Sequence, residues 1–208
     1  MKHTRKILCT VQAFLMLTTF SLAQNDGYQV GDEAMDFQLP TVSGSQASLS
    51  GLEDNRGAVV VFSCNTCPYV KAYEDRLIEL HQTYAPKGYP IIAINSNDER
   101  ISPGDSFEAM KKRAAEKQFP FAYAYDKSQE VIRTYGATRT PQVFLLEKES
   151  DRYMVRYIGA IDNNYQDAAS VSERYLADAL DALLSGEQVP RETTKAIGCS
   201  IKWTRNSR

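Results

Sequence analysis

The chain of 208 residues is poor in the features that define several protein classes. It has 4 cysteines, 2 histidines and 1 tryptophan, and it contains no internal repeat and no low-complexity tract. So few cysteines in so long a chain exclude a small disulfide scaffold. With 43% hydrophobic and 24% charged residues, its composition is that of a globular protein, which excludes a disordered chain and a protein with many membrane spans.

Long apolar runs are also scarce. The one at residues 7–20 is shorter than the ~20 residues that a membrane-spanning helix needs. Three basic residues precede it and small residues follow at 21–23, which is typical of a secretory signal peptide. Cys9 lies inside the run and not at the cleavage position, so a lipid anchor is not indicated. We predict that residues 1–23 are a signal peptide cleaved near Ala23, that the protein is exported to the periplasm or the exterior, and that it is not inserted in a membrane.

Neither sign of charge dominates the sequence. The formal net charge is −2, and removal of the first 23 residues, with their three basic and no acidic side chains, changes it to −5. A weakly acidic chain gives no reason to expect nucleic acid or anionic lipid as a partner. The roughly 185 residues that remain suffice for one well-filled domain.

Signal removal leaves Cys64, Cys67 and Cys199, an odd number for an exported protein. The first two lie between residues 58–62, an apolar run typical of a buried strand, and residues 69–84, where apolar side chains recur at helical spacing. A helix dipole favours a thiolate at its start. We therefore predict that Cys64 has a depressed pKa and attacks disulfides, and that a more buried Cys67 resolves the mixed disulfide.

Other roles for the cysteine pair are less compatible with the sequence. A zinc site needs two more ligands, and the mature chain offers Cys199 and His81, the latter within the predicted helix. Haem attachment needs a histidine directly after Cys67, where the chain has Pro68. Cu(I) suits thiolates, but no histidine lies near the pair. A purely structural disulfide stays open because an exported protein meets oxidising conditions. We predict no metal and no cofactor.

The rest of the pattern predicts an α/β fold. Residues 91–94 form a second buried strand after the helix, and the connection is long enough for a parallel crossover. Before the first strand we predict an irregular lead-in with one hairpin over 25–55. After the second strand we predict a helix opened by a capping box of Asp105 and Glu108 and running to Lys117, a short strand within 119–125, and a brief helix over 130–135 stopped by Gly136. The pattern ends with an antiparallel hairpin of 142–146 with 153–158 and a helix from about Val171 to Gly186.

A second constellation is Thr140-Pro141, directly before the strand that starts at residue 142. A cis peptide bond there would expose the preceding backbone at the end of the strand, where an extended substrate could pair with it. An ordinary trans turn proline is the alternative. The residues expected to support the two cysteines are Asn65, Thr66, Pro68, Thr140 and Pro141.

Together these features resemble the thioredoxin superfamily over residues 30–185. The lead-in segments 30–32 and 36–40 are similar to the start of its peroxiredoxin-like and exported thiol-disulfide oxidoreductase branches, of the AhpC/TSA redoxin type. Three longer segments, at 64–76, 159–164 and 198–203, resemble a little-characterised peroxiredoxin-like bacterial group.

The resemblance implies a thioredoxin-like α/β fold, with a mixed central sheet flanked by helices, an N-terminal hairpin extension and a central helix-strand insert. It implies that Cys64 attacks, that Cys67 resolves and that Pro141 is cis behind them. The domain is then expected at residues 24–186, with a C-terminal tail at 187–208 packed on it.

The chain departs from the resembled families at two positions. Thioredoxins carry an acidic proton acceptor six residues before the first cysteine, and Ala58 stands there. The proton acceptor is therefore unassigned. Peroxiredoxins carry Thr or Ser three residues before the peroxide-attacking cysteine, in register with Cys67, and Cys64 stands there. Because the hydroxyl that orients peroxide is missing, we expect disulfide exchange over peroxide reduction.

The sequence thus predicts an exported thiol-disulfide oxidoreductase that exchanges electrons with protein disulfides and an unidentified electron donor. A thiol peroxidase and a redox-inert binding module of the same fold are the alternatives. Cys199 is a possible third thiol, able to form a disulfide with Cys64 or with a partner. The alternative role for Cys199 is packing, with Ile201 and Trp203 anchoring the tail to the core.

Overall fold

The computed structural model describes residues 27–205 of the chain. The predicted signal peptide and its cleavage site lie outside these residues. The strands are β1 (Glu33–Ala34), β2 (Leu39–Pro40), β3 (Gln46–Ala47), β4 (Gly57–Ser63), β5 (Ile91–Asn95), β6 (Ala122–Tyr125), β7 (Arg139–Thr140), β8 (Gln142–Glu149), β9 (Arg152–Gly159) and β10 (Cys199–Ser200). The helices are α1 (Pro68–Tyr84), α2 (Phe107–Lys117), α3 (Glu130–Tyr135) and α4 (Tyr175–Ser185).

The centre of the fold is a six-stranded mixed sheet with the strand order β1-β9-β8-β4-β5-β6. β4 runs parallel to β5 and antiparallel to β8. All seven residues of β4 are buried, with Val59 and Val61 in the core on one face of the sheet and Val60 and Phe62 in the core on the other. A strand covered on both faces is apolar throughout, which is why its sequence shows no alternation.

Helix α1 follows the cysteines, as the sequence predicts. It begins at Pro68, and proline is favoured in the first turn because the missing amide would have no partner within the helix. Its buried face includes Val70, Tyr73 and Leu77, at the spacing of three and four residues seen in the sequence. The predicted strand-helix-strand unit is confirmed as β4-α1-β5.

Several further predicted elements are present. The lead-in contains the β2-β3 hairpin, β8 pairs with β9 as an antiparallel hairpin, and β6 is the short strand. α3 ends at Gly136, whose φ of 74° is the left-handed conformation that glycine adopts without strain. The α/β class, with a mixed sheet flanked by helices, is confirmed.

Two predicted helix starts are wrong. α2 begins at Phe107 with Ser106 as its N-cap, because the Asp105 side chain bonds to the cysteine loop and not to its own helix. α4 begins at Tyr175 and not at Val171. The amides of Ser172 and Glu173 donate to the Asn163 side chain, so this stretch is committed to a loop.

The segment after α4 returns across the domain. Thr193 forms a bridge with Ile158, and β10 then pairs antiparallel with β7, placing Cys199 opposite Thr140. Ile201 lies in the same core as Phe62 and is 6% exposed. Within residues 27–205, no helix has both the length and the apolar character needed to cross a membrane.

Candidate active site

Cys64 and Cys67 lie in the short connection between β4 and α1. Cys67 is the N-cap of α1 and has extended backbone, with φ −74° and ψ 123°. Each cysteine is only 2% exposed, and the two share a small apolar cluster with Val70. All three cysteines of the described chain are free thiols. Cys67 therefore sits at the positive end of a 17-residue helix, and both thiols are nearly closed off from solvent.

Both thiols contact Thr140, the residue directly before Pro141. The Cys64 thiol lies 3.4 Å from the Thr140 hydroxyl, and the Cys67 thiol donates to the Thr140 carbonyl at 3.2 Å. The peptide bond before Pro141 is cis, as the resemblance implied. Pro68 is the first residue of α1. The structure thus brings Thr140, Pro141 and Pro68 together with both cysteines.

Cys67, which in its protonated form donates to Thr140, is the thiol whose pKa the site lowers. Its pKa is lowered by the hydrogen bond from the Cys64 thiol, and further by hydrogen bonds from the Cys199 thiol and from the backbone amides of Val70 and Cys199. The pKa of Cys64 is raised by the same bond to Cys67, by burial and by the negative charge of Asp105. These donors converge on Cys67 because it caps the helix.

The predicted depression of the Cys64 pKa is therefore wrong. α1 begins at Pro68, so its free backbone amides lie beside Cys67. To present them to Cys64, the helix would have to begin about one turn earlier. Since the effect of a helix terminus falls off within about one turn, the field acts on Cys67.

A buried carboxylate fixes the loop between the cysteines. Asp105 is fully buried, and it accepts hydrogen bonds from the amide of Asn65 at 2.7 Å and from the amide of Thr66 at 3.0 Å. The Thr66 hydroxyl donates to the same carboxylate at 2.8 Å. Asn97 and Ser102 complete its set of donors. Asp105 thus holds Asn65 through its backbone amide, and Thr66 through both its amide and its hydroxyl.

Tyr123, from β6, is a second contact that the sequence did not reveal. Its hydroxyl donates to the Asn65 side-chain oxygen at 2.9 Å, while the Asn65 amide group donates to the Gly104 carbonyl at 2.9 Å. A side chain at Gly104 would meet Thr66, since its Cβ would lie 2.7 Å from the Thr66 methyl. The sequence signal for these contacts is the polar, turn-rich stretch at residues 95–104, which joins β5 to α2.

Residues 159–164, one of the segments that carry the resemblance, hold α1 from its outer side. Asp162 accepts from the Tyr73 hydroxyl at 2.9 Å and from the Arg76 guanidinium at 2.6 Å. Arg76 also donates to the carbonyls of Asn164 and Tyr165. These bonds fix the first half of α1, and with it the position of Cys67 at the helix start.

Cys199 is brought to the same place by the tail. It is partly exposed, lies beside the Cys64, Cys67 and Val70 cluster, and donates to the Cys67 sulfur. Burial and the neighbouring Cys67 raise the Cys199 pKa. The edge of β7 at Thr140, where an extended substrate was expected to pair, is occupied by β10.

The other candidate ligand lies elsewhere in α1. His81 is half-buried, and its Nδ1 accepts from the Ile91 amide at 3.1 Å, with its pKa lowered by burial. Within residues 27–205, no cluster of three or more His, Cys, Asp or Glu side chains is arranged to hold a metal ion.

A parallel β4-α1-β5 unit, a following antiparallel hairpin, and two cysteines facing a cis-proline define a thioredoxin-like fold with a dithiol site. The model of the AhpC/TSA family matches residues 30–157. The chain belongs to the AhpC/TSA family, and the predicted place in the thioredoxin superfamily is confirmed.

Individual proteins resemble the chain over most of its length. Thiol-disulfide oxidoreductase ResA of Bacillus cereus is 27% identical over 143 residues, covering 69% of this chain and 78% of that protein. The crystal structure of an uncharacterized conserved protein from Geobacillus kaustophilus is 38% identical with a TM-score of 0.78, covering 85% of this chain and 93% of that one. A putative thiol:disulfide interchange protein DsbE from Chlorobium tepidum is 25% identical with a TM-score of 0.51, covering 62% and 84%.

Proposed function

We propose that this protein is an exported enzyme that exchanges electrons with protein disulfides through the Cys64-x-x-Cys67 dithiol. Its enzyme class is that of thiol-disulfide oxidoreductases, the activity named in its curated relatives. The observation that carries the proposal is the convergence of hydrogen-bond donors on Cys67 at the start of α1, with Cys64 as one of the donors. Hydrogen-bond donors to a sulfur stabilise the thiolate, which is the nucleophile of disulfide exchange.

The geometry supports roles opposite to those expected from the resemblance. The Cys67 thiolate attacks one sulfur of a substrate disulfide, and the departing sulfur takes up a proton. Cys64 gives up its proton, attacks the Cys67 sulfur of the mixed disulfide and releases the second substrate thiol. Two electrons pass to the substrate, and Cys64 and Cys67 end as a disulfide.

The remaining site residues position these two thiols. Asn65 and Thr66 are held by Asp105, Pro68 sets the first turn of α1, and Thr140 contacts both sulfurs. Pro141 holds the Thr140 backbone against the pair.

Export and domain organisation are part of the same proposal. A basic, apolar and small-residue pattern at 1–23 supports a signal peptide, and the weakly acidic net charge of the remainder gives no reason to propose nucleic acid as a partner. We assign residues 24–186 to the redox domain and 187–208 to a tail on it. The partners are protein disulfides and an electron donor, with no cofactor required.

Thiol peroxidase activity is the second candidate, and one observation favours it. Cys67 occupies the register of the peroxide-attacking cysteine and has a lowered pKa. Against it, Cys64 fills the position where a hydroxyl would orient the peroxide. We therefore assign disulfide exchange as the main activity.

Insulin reduction with a dithiol donor tests the proposal against peroxide consumption under the same conditions. Wild type is expected to reduce insulin faster than hydrogen peroxide. C67S is expected to lose about a hundredfold or more of the insulin rate, because it removes the sulfur that forms the bond with the substrate. M35A, at an exposed position outside the site, is the matched control. Equal or faster turnover of peroxide would contradict the proposed main activity.

A further inference from the structure

The tail lies in the position of a bound strand. Its residues Cys199 and Ser200 pair antiparallel with Thr140 and Arg139, directly before the cis-proline. Extended peptides commonly bind by adding a strand to such a free edge, with main-chain hydrogen bonds giving affinity. Here the protein's own chain makes that addition.

The approach of the tail to Thr140 is close enough to require glycine. A Cβ on Gly198 would lie 2.1 Å from the Thr140 carbonyl oxygen and 2.6 Å from its carbon. Since both atoms belong to the backbone, neither can move aside as the end of a side chain could. Only glycine at position 198 therefore allows the tail backbone to approach the Thr140 backbone this closely.

Beyond Cys199 the tail is fastened at several points. The Lys202 amide donates to Asn97, and the Lys202 carbonyl accepts from the Gln129 side chain, each at 2.9 Å. Arg133 stacks over the Trp203 ring at 4.7 Å. These contacts fix the chain after Cys199, and the close contact of Gly198 with Thr140 fixes the chain before it.

The tail thereby delivers a sulfur to Cys67. Both the Cys199 thiol and its backbone amide donate to the Cys67 sulfur. Cys64 and Cys67 are each 2% exposed, whereas Cys199 is partly exposed. Cys199 is thus the most exposed member of a cluster of three thiols.

We infer that the tail is an intramolecular occupant of the groove that receives an extended substrate, and that Cys199 stands in the place of the substrate cysteine and forms a disulfide with Cys67. The inference rests on the proposed dithiol function and adds to it a second resolving thiol. An extended substrate must displace the tail before it can pair with Thr140.

The exchange balances with a disulfide as the oxidant. The Cys67 thiolate attacks RSSR′ and forms a mixed disulfide with R, and the departing R′ sulfur takes the proton of Cys199. The Cys199 thiolate then attacks the Cys67 sulfur, and the R sulfur leaves and takes a proton from water. Two electrons have passed to RSSR′, and Cys64 remains a thiol. Reduction takes a different route and uses an external dithiol. One of its thiolates attacks the exposed Cys199 sulfur and Cys67 leaves, which a low-pKa thiol does readily. The second thiolate then attacks the donor sulfur of the mixed disulfide, Cys199 leaves and takes a proton, and the donor ends as a disulfide.

The disulfide is tested by non-reducing peptide mapping of the full chain after oxidation with oxidised glutathione. In C64S, we expect a Cys67 to Cys199 cross-link as the main product. In C64S/C199S, we expect Cys67 to carry glutathione. A C64S protein in which Cys67 carries glutathione while Cys199 stays a free thiol would overturn the pairing.

The groove is tested by G198A against S200A, which changes an exposed side chain of the same tail strand. We expect G198A to raise the rate of Cys67 alkylation by iodoacetamide at least about tenfold, because the added methyl expels the tail and opens the site locally. S200A should react as wild type does. Equal rates in all three proteins, with circular dichroism showing each of them folded, would overturn the occupied groove.

Hydrogen exchange on wild type gives a readout that needs no variant. Addition of an extended peptide whose single cysteine carries glutathione in disulfide linkage, so that Cys67 attacks the peptide sulfur and glutathione leaves as a thiol, should deprotect the amides of residues 198–203 and leave β4 protected. Unchanged protection of the tail, while the peptide forms a mixed disulfide with Cys67, would overturn displacement. Failure of wild type to reduce insulin would remove the proposed function, whereas peptide mapping and exchange would still decide the role of the tail.

Discussion

The Asp105 carboxylate accepts a hydrogen bond from the Asn65 amide at 2.7 Å and thereby ties the start of α2 to the loop between the two cysteines. The same carboxylate accepts from the Thr66 amide and hydroxyl. A loop held by three bonds to one fully buried group has little freedom to move. The separation of the Cys64 and Cys67 sulfurs therefore depends on a residue from outside the motif.

Replacing this carboxylate should cost both stability and activity. We expect D105A to lower the free energy of unfolding by roughly 2–4 kcal/mol, because it leaves several buried donors without their acceptor. Urea denaturation measures the loss, and insulin reduction should fall with it. D54N, at an exposed aspartate, is the control and should change stability by less than about 0.5 kcal/mol. Wild-type stability of D105A would show that the loop is held by other contacts.

The lowered pKa of Cys67 predicts how alkylation depends on pH. Cys67 should stay a thiolate below the ordinary titration range of a cysteine, about pH 8.5, so its rate of reaction with iodoacetamide should hold up as the pH falls to about 7. The raised pKa of Cys64 predicts the opposite trend, with labelling lost even above that range. Residue-specific mass spectrometry over a pH series measures both midpoints. A lower midpoint for Cys64 than for Cys67 would restore the roles expected from the sequence.

Removal of the Tyr123 hydroxyl isolates one bond of the cysteine loop. We expect Y123F to lose about 1 kcal/mol of stability, because the buried Asn65 oxygen loses its donor. The ring remains in the core, so the fold should be kept and the insulin rate should fall only a few-fold. Y175F, which removes a hydroxyl bonded to Glu173 outside the site, is the matched control. An unchanged insulin rate in Y123F would show that Asn65 needs no such anchor.

The brace on α1 can be tested through its ion pair. Arg76 and Asp162 have side chains that are 14% and 6% exposed, so R76Q leaves a nearly buried carboxylate without its cation. We expect a loss of about 2–4 kcal/mol in unfolding free energy. K112Q breaks an exposed pair with Glu116 and should cost less than about 0.5 kcal/mol. Thermal or urea unfolding compares the two, and equal small losses would mean that the brace adds nothing.

Local sequence was informative wherever short-range physics decides the structure. The apolar run before Cys64 became β4, because a strand covered on both faces has no polar positions. The apolar spacing after Pro68 became α1, and Gly136 ended α3. The prediction that Asp105 caps α2 is wrong, because a capping pattern takes only neighbouring residues into account. The Asp105 carboxylate instead accepts from the distant amides of Asn65 and Thr66.

The sequence by itself determined the class of the fold and the helix after the cysteine pair, and it singled out Cys64 and Cys67 as the reactive pair, because periodicity, burial pattern and residue chemistry are properties of neighbours along the chain. Only the tertiary structure decided which thiol is favoured as a thiolate and what occupies the edge of β7. The Cys67 sulfur contacts Thr140, 73 positions away, and receives donors from Cys199. Contacts of that separation depend on how the strands are ordered and where the tail returns, and no local pattern encodes either.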